Sequence, residues 1–163
     1  MQNPILQIGF DFFHLMATIA WIGGMFFNFL VVMPTIGKTL DPATAGKFMT
    51  AMFKRVRVVV YISLAVLFIT GIPMKIASDY YSGIISFDTN WNVILFVKHV
   101  FVGILALMAI YNFEILGPKI GKLASKGPSP ELISLRGRGK IFGAVSFLIG
   151  IITIFLSAVM NYL

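Results

Sequence analysis

A chain of 163 residues that is 58% hydrophobic and only 12% charged, with a mean hydropathy of +0.93, has too little polar surface for a water-soluble domain and must fold in lipid. It contains no cysteine, which excludes c-type haem attachment, iron–sulfur ligation, thiolate copper sites and disulfides. Its net charge of +7 is gathered in two loops instead of spread over one face, so nucleic acid is not the partner it points to; the expected partner is a lipid bilayer.

A bilayer core asks for roughly 20 apolar residues per helix. Four such runs are present, at Phe10 to Met33, Val58 to Ala77, Trp91 to Leu116 and Ile141 to Leu163. The expected fold is therefore all-α: one integral membrane four-helix bundle over residues 1–163, with helices over about 10–33, 43–77, 91–116 and 130–163. The first run lacks a basic leading region, is too long for a signal-peptide core and is followed by Pro34, so it is expected to stay as a helix.

Within the first helix, His14 has Asp11 three residues before it, placed to fix a ring nitrogen or to cap the helix, and Ala17, Thr18 and Trp21 on its side of the helix. The connection to the second helix carries Lys38, Lys47, Lys54, Arg55 and Arg57, and its Asp41-Pro42 pair reads as a helix start. Lys75 stands near the far end of the second helix, and the next connection holds only Asp79 and Asp88, with Tyr80, Tyr81 and Trp91 fitting an aromatic belt. The third helix carries Lys98 and His99, followed on the histidine's side by Val102, Gly103 and Ala106. Lys119, Lys122, Lys126, Arg136, Arg138 and Lys140 follow it, with Ser129-Pro130-Glu131 starting the fourth helix and Gly137 and Gly139 expected to interrupt it. The positive-inside rule makes both basic loops cytoplasmic and turns both termini outward in a multi-pass cell-membrane protein.

The stretches NFLVVMPTIGK (Asn28 to Lys38) and NFEILGPKIGK (Asn112 to Lys122) share six of eleven residues at an offset of 84. They suggest two duplicated helix pairs in parallel orientation, or else two convergent helix exits ended by proline and glycine. Either way the first and third helices run parallel. His14 precedes Asn28 by 14 residues and His99 precedes Asn112 by 13, so both lie at nearly one depth, in the outer half of the bilayer. Strict repetition pairs His14 with Lys98 and leaves His99 one residue out of register.

The mostly small residues beside both histidines suit a flat macrocycle, and intramembrane ionisable groups usually have a task. The residues therefore point to one haem b with His14 and His99 as axial metal ligands, Ala17, Thr18, Trp21, Gly103 and Ala106 around it, and Lys75 and Lys98 as partners for its propionates. Copper, with thioethers from Met16, Met74 or Met160, and a cofactor-free structural or transport role along Asn28, Asn112 and Glu114 are the alternatives. A single outer haem implies exchange of electrons with an external redox protein or a lipid quinone. A homo-oligomer is compatible with this composition.

The segment HLMATIAWIGGMFF from His14, with KRVRVVVYISLAVLFITGI and ILFVKHVFVGILAL further on, resembles the first three helices of the copper-resistance D-like (CopD-like) membrane proteins. The first-helix pattern and the position of Lys98 are also similar to HemJ-type protoporphyrinogen oxidases, which are four-helix haem proteins. The first resemblance implies copper uptake or handling. The second implies haem and a porphyrin substrate, with His14 and Lys98 at the matching positions, while VVMPTIGK has no match to that family's basic and aromatic stretch. The residues themselves favour a membrane cytochrome b acting as a one-electron carrier over either named activity.

Overall fold

A helix leaves the N–H groups of its first turn without partners, and short polar side chains satisfy them. In the computed structural model, which describes residues 3–83 and 85–163, Asn3 accepts from the Ile5 amide, Asp41 from Ala43 and Thr44, Thr89 from Asn92, and Ser129 from Leu132. Hydrogen bonding from Thr44 also holds the exposed Asp41 carboxyl below its ordinary pKa. Pro4, Pro42 and Pro130 follow three of these caps, where a missing N–H has no helical acceptor to lose.

Four helices result: α1 Pro4–Thr39, α2 Pro42–Ala77, α3 Asn90–Ala124 and α4 Pro130–Tyr162, each long and apolar enough to cross a membrane. The protein is an all-α, multi-pass membrane four-helix bundle, with no strand among the described residues. At 1.5 Å per residue a 36-residue helix is about 54 Å long, so α1 and α2 outreach the roughly 30 Å hydrocarbon layer. As expected, α2 and α4 begin at Asp41 and Ser129, ahead of their apolar runs.

Three helix boundaries differ from expectation. α1 starts at Pro4 and not at residue 10, because Asn3 caps it there and Pro4 takes its first position. α1 does not stop at residue 33 nor α3 at residue 116; they continue to Thr39 and Ala124, past Pro34 and Pro118. A proline cannot donate to the carbonyl one turn back and its ring crowds that carbonyl. Just before each proline the chain widens into a π turn, Asn28–Val32 in α1 and Asn112–Leu116 in α3, which absorbs the misfit and lets the helix go on. The two repeated stretches are thus one structural device used twice, each π turn opening on the repeat's asparagine, and they are not helix exits. Gly117 eases the second, since a Cβ there would stand a tight 3.0 Å from the Asn112 carbonyl oxygen, although Met33 fills the corresponding place in the first. A further π turn spans Ile19–Gly23. Gly137 and Gly139, in contrast, leave α4 unbroken from Pro130 to Val159.

The N-terminal half of α1 packs along α2, and α3 packs along α4. The two pairs join through their middle and the end away from the termini: α1 residues 28–32 approach α4, and α2 approaches α3 residues 117–124. Phe147 of α4 lies between Phe26 and Phe29 of α1, with ring centres 4.5 and 4.7 Å away. Gly150 lets α1 come close, because a Cβ there would meet the Met25 Cε at 2.8 Å. The centre of the bundle is Trp21, Val60 and Leu105, one from each of α1, α2 and α3, with Ile149 of α4 packed against them. Further from the termini, Tyr61 donates to Glu114 Oε1 at 2.7 Å and Arg57 reaches the same oxygen at 3.4 Å, bracing α2 against α3. At the end that carries the termini, Tyr80 stacks on Trp91, and the buried Asn92 amide donates to the Tyr80 carbonyl and the Ser82 hydroxyl, tying the connecting loop to α3.

Candidate functional site at the end of the bundle that carries the termini

His14 is half-buried against α2, where its Nδ1 lies 2.8 Å from the Thr70 hydroxyl. That hydroxyl, on a residue only 4% exposed, spends its own proton on the Val66 carbonyl at 2.7 Å. With the hydroxyl donating to Val66, as buried threonines in helices commonly do, the ring donates from Nδ1, and Nε2 has no partner among the described residues. Gly71 makes room for the ring: a Cβ there would press on His14 Cε1 at 3.3 Å. Thr18 donates its hydroxyl back to the His14 carbonyl, so it steadies the same turn of α1.

The second histidine reaches the same state by a different route. His99 Nδ1 lies 2.6 Å from the Leu95 carbonyl oxygen one turn earlier, and a carbonyl can only accept. Nδ1 again carries the proton, and Nε2 is again free. One turn further in, a methyl group at Gly103 would meet nothing within 4 Å, so the space beside this ring is open.

Electrostatic reach connects these groups. His14 lies within range of Lys98, His99 and Asp11, and His99 within range of Lys98 and Lys75. The expected cluster of His14, His99, Lys75 and Lys98 is thus assembled at one end of the bundle. Asp11, however, neither holds the histidine ring nor caps α1; Thr70 does the first and Asn3 the second.

The one-residue offset between the repeats has a visible consequence. Lys98 stands in the row of Leu95, Val102 and Leu105, the side of α3 that faces the bundle, and is half-buried without a hydrogen bond or ion pair among the described residues. His99, turned about 100° from it, is exposed at the edge of that face. Of the other expected neighbours, Ala106 packs with Trp21 in the core beneath the cluster, and Ala17 is buried in the seam between α1 and α2. Neither Asn28 nor Glu114 belongs to this end. Glu114 serves as an interhelical brace, and the buried Asn28 Oδ1 has no hydrogen-bond partner among the described residues.

Thr70 and Gly71 are the residues that sequence reasoning missed. The available signal was a small polar pair, Thr70-Gly71, inside an otherwise bulky helix, but nothing in one chain shows that it meets a histidine 56 residues away.

The fold and site define a four-helix membrane protein with a histidine and lysine cluster at one end. The family model described as a domain of unknown function (DUF4149) matches residues 16–129, and the chain belongs to that family. Nothing among curated proteins and nothing among solved structures matches it.

Proposed function

We propose that the protein is a small membrane cytochrome b that holds one haem b near the outer face, with His14 and His99 as axial ligands. The observation that carries this reading is that both imidazoles have Nδ1 tied to an oxygen of the chain, Thr70 Oγ1 or the Leu95 carbonyl, while neither Nε2 has a hydrogen-bond partner among the described residues. Metal-ligating histidines are oriented in this way, with the second nitrogen donating to a carbonyl or hydroxyl that fixes the ring and its tautomer. The exposed Gly103 leaves the lipid side of His99 unobstructed, and the half-buried Lys98 ammonium suits a propionate that would otherwise be an unpaired charge in lipid. Bound between these ligands, haem would supply a one-electron iron couple with no open coordination position. The chain's own part is to orient both rings, exclude bulk around them and neutralise the acidic edge through Lys98 and Lys75.

The excess of basic residues in the two loops on the opposite side supports an orientation with both termini outside. The cofactor would then exchange electrons with a donor or acceptor on the outer side.

A second reading is favoured by one feature. Lys98, not His99, occupies the bundle-facing position that the repeat pairs with His14. This is the arrangement that the resemblance to HemJ-type protoporphyrinogen oxidases implies, in which a porphyrin is also the substrate. Copper handling, the reading carried by the CopD-like resemblance, has less support: Met16, two residues after His14, is turned about 200° from it.

The deciding experiment is the visible spectrum and metal content of the purified protein and of its His14→Ala and His99→Ala variants. Low-spin haem b lost in both variants is the expected result. Loss in His14→Ala alone moves the second ligand elsewhere and favours the porphyrin-substrate reading, and a colourless copper-containing protein overturns both.

A further inference from the structure

Eleven of the thirteen basic residues stand at the end of the bundle away from the termini, against three acidic ones, Asp41, Glu114 and Glu131. Such a bias orients a membrane protein but does not say what each charge meets. Depth separates the charges. Lys119 lies three residues past the apolar run of α3 and Arg138 three before that of α4, so each stands about 5 Å outside the hydrocarbon, in a headgroup layer roughly 5–7 Å thick. Both are exposed, and neither has a hydrogen bond or ion pair among the described residues.

Packing brings these two onto one surface. Gly139 is where α4 meets the end of α3: a Cβ there would lie 3.8 Å from Leu116 Cδ2 and 3.9 Å from Ile120 Cδ1. As successive membrane spans, α3 and α4 run antiparallel, and in an antiparallel pair the residues that precede two facing positions fall on the same flank of the seam at one level. Lys119 precedes Ile120, and Arg138 precedes Gly139. The opposite flank of α4 is turned to α1 through Phe147, so the flank that carries the two cations looks into the bilayer. Deeper on that flank, one turn from Lys119 and two from Arg138, the exposed Ile115 and Val145 present an apolar surface.

Two like charges held at one level on packed helices repel each other, and the chain supplies nothing to offset them. Glu114, the acid closest to that layer in depth, is engaged by Tyr61 and Arg57 on the side of α2, while Asp41 and Glu131 belong to helix starts well outside it. The counter-charge therefore comes from outside the chain. Lipid phosphates lie in the layer that holds both cations, and the apolar surface below them gives acyl chains a place to lie. Helix axes roughly 8–10 Å apart let two long side chains meet on one phosphate.

We propose that Lys119 and Arg138 clamp the phosphate of one anionic phospholipid on the seam of α3 and α4, with its acyl chains along Ile115 and Val145. The site lies at the opposite end from the histidine cluster and depends neither on haem nor on which side of the membrane it faces. Its test is titration of the full chain in a neutral detergent with dioleoyl phosphatidylglycerol, dioleoyl phosphatidylcholine or glycerol 3-phosphate, with bound molecules counted by native mass spectrometry.

The expected result is one phosphatidylglycerol per chain, held roughly 30-fold more tightly than phosphatidylcholine, since each Lys or Arg at the headgroups contributes about a five-fold factor. Lys119→Gln and Arg138→Gln should each weaken binding about five-fold, and together they should erase the preference. Lys47 and Lys126 lie ten or more residues outside the apolar runs, so Lys47→Gln combined with Lys126→Gln removes the same charge and should leave binding intact. The proposal is overturned by equal affinity for the two lipids or by an equal loss in the Lys47 and Lys126 variant, which would make the attraction diffuse. It is also overturned if glycerol 3-phosphate displaces the lipid at matching concentration, because the seam would then be a water-facing phosphate site.

Discussion

His14 and Thr70, 56 residues apart, meet across the seam of α1 and α2, with the ring Nδ1 2.8 Å from the hydroxyl. When Thr70 gives its proton to the Val66 carbonyl at 2.7 Å, the imidazole is the donor. Thr70→Val keeps the side-chain shape and deletes the acceptor, leaving a half-buried ring N–H unpaired and free to exchange tautomers. We expect haem affinity, measured by titrating the apoprotein, to fall roughly 10- to 100-fold, and Thr70→Ser to recover most of it. Equal affinity in all three proteins would show that this hydrogen bond does not orient a ligand.

Lys98 provides a separate handle on the acidic edge of the cofactor. Removing a cation near the propionates favours the oxidised, more positive iron, so Lys98→Met should lower the reduction potential by on the order of tens of millivolts. The absorption spectrum should remain that of a bis-histidine haem, since neither ligand is touched, and haem should dissociate faster. Lys75, which also lies within electrostatic reach of His99, should give a smaller shift in the same direction. A double replacement indistinguishable from the parent in potential and retention would return both lysines to snorkelling towards the headgroups.

Most of the fold could be read from the chain because its signals are local. Asp41-Pro42 and Ser129-Pro130 marked two helix starts, and apolar length marked the four spans. What could not be read was how the chain copes with Pro34 and Pro118, since a π turn leaves no trace in hydrophobic periodicity and proline normally argues for an ending. At the site, the histidines and lysines stood out by rarity; His99 remained the expected ligand despite its one-residue offset, whereas in the structure Lys98 takes the bundle-facing row and His99 is exposed at its edge. Thr70 and Gly71 act through a contact between two helices, which no spacing within one helix discloses.

Orientation follows from charge and is open to labelling. Eleven of the thirteen Lys and Arg residues lie in or beside the two loops that join α1 to α2 and α3 to α4. Ser125 is exposed in the second of these loops and Asp79 is exposed in the connection at the opposite end. The chain has no native cysteine to interfere. In intact cells a membrane-impermeant thiol reagent should modify Asp79→Cys and spare Ser125→Cys until the cells are broken. The reverse pattern would place the histidine cluster at the cytoplasmic face.

The last prediction concerns what sets the distance between the two histidine-bearing helices. α1 and α3 do not pack closely on each other in their first halves; each is positioned by a partner, and α4 touches both, through Gly150 against Met25 and Ile22 of α1 and through Ser146 against Met108 of α3. A Cβ at Gly150 would lie 2.8 Å from Met25 Cε and 3.5 Å from Ile22 Cγ2. Met25 can yield because its end is flexible, whereas a β-branched side chain would also push on Ile22. Gly150→Val is therefore expected to destabilise the bundle by about 1–3 kcal/mol, seen as a lower unfolding temperature in detergent. Because α4 would then hold α1 further from α3, haem should also be lost at lower temperature than in the parent. Met25→Ala removes the obstructing methyl group, so combining it with Gly150→Ala should cost less than the sum of the two single changes. Strict additivity would mean that α1 and α4 do not meet at Gly150, and haem retention unaffected by Gly150→Val would mean that α4 does not set the spacing of His14 and His99.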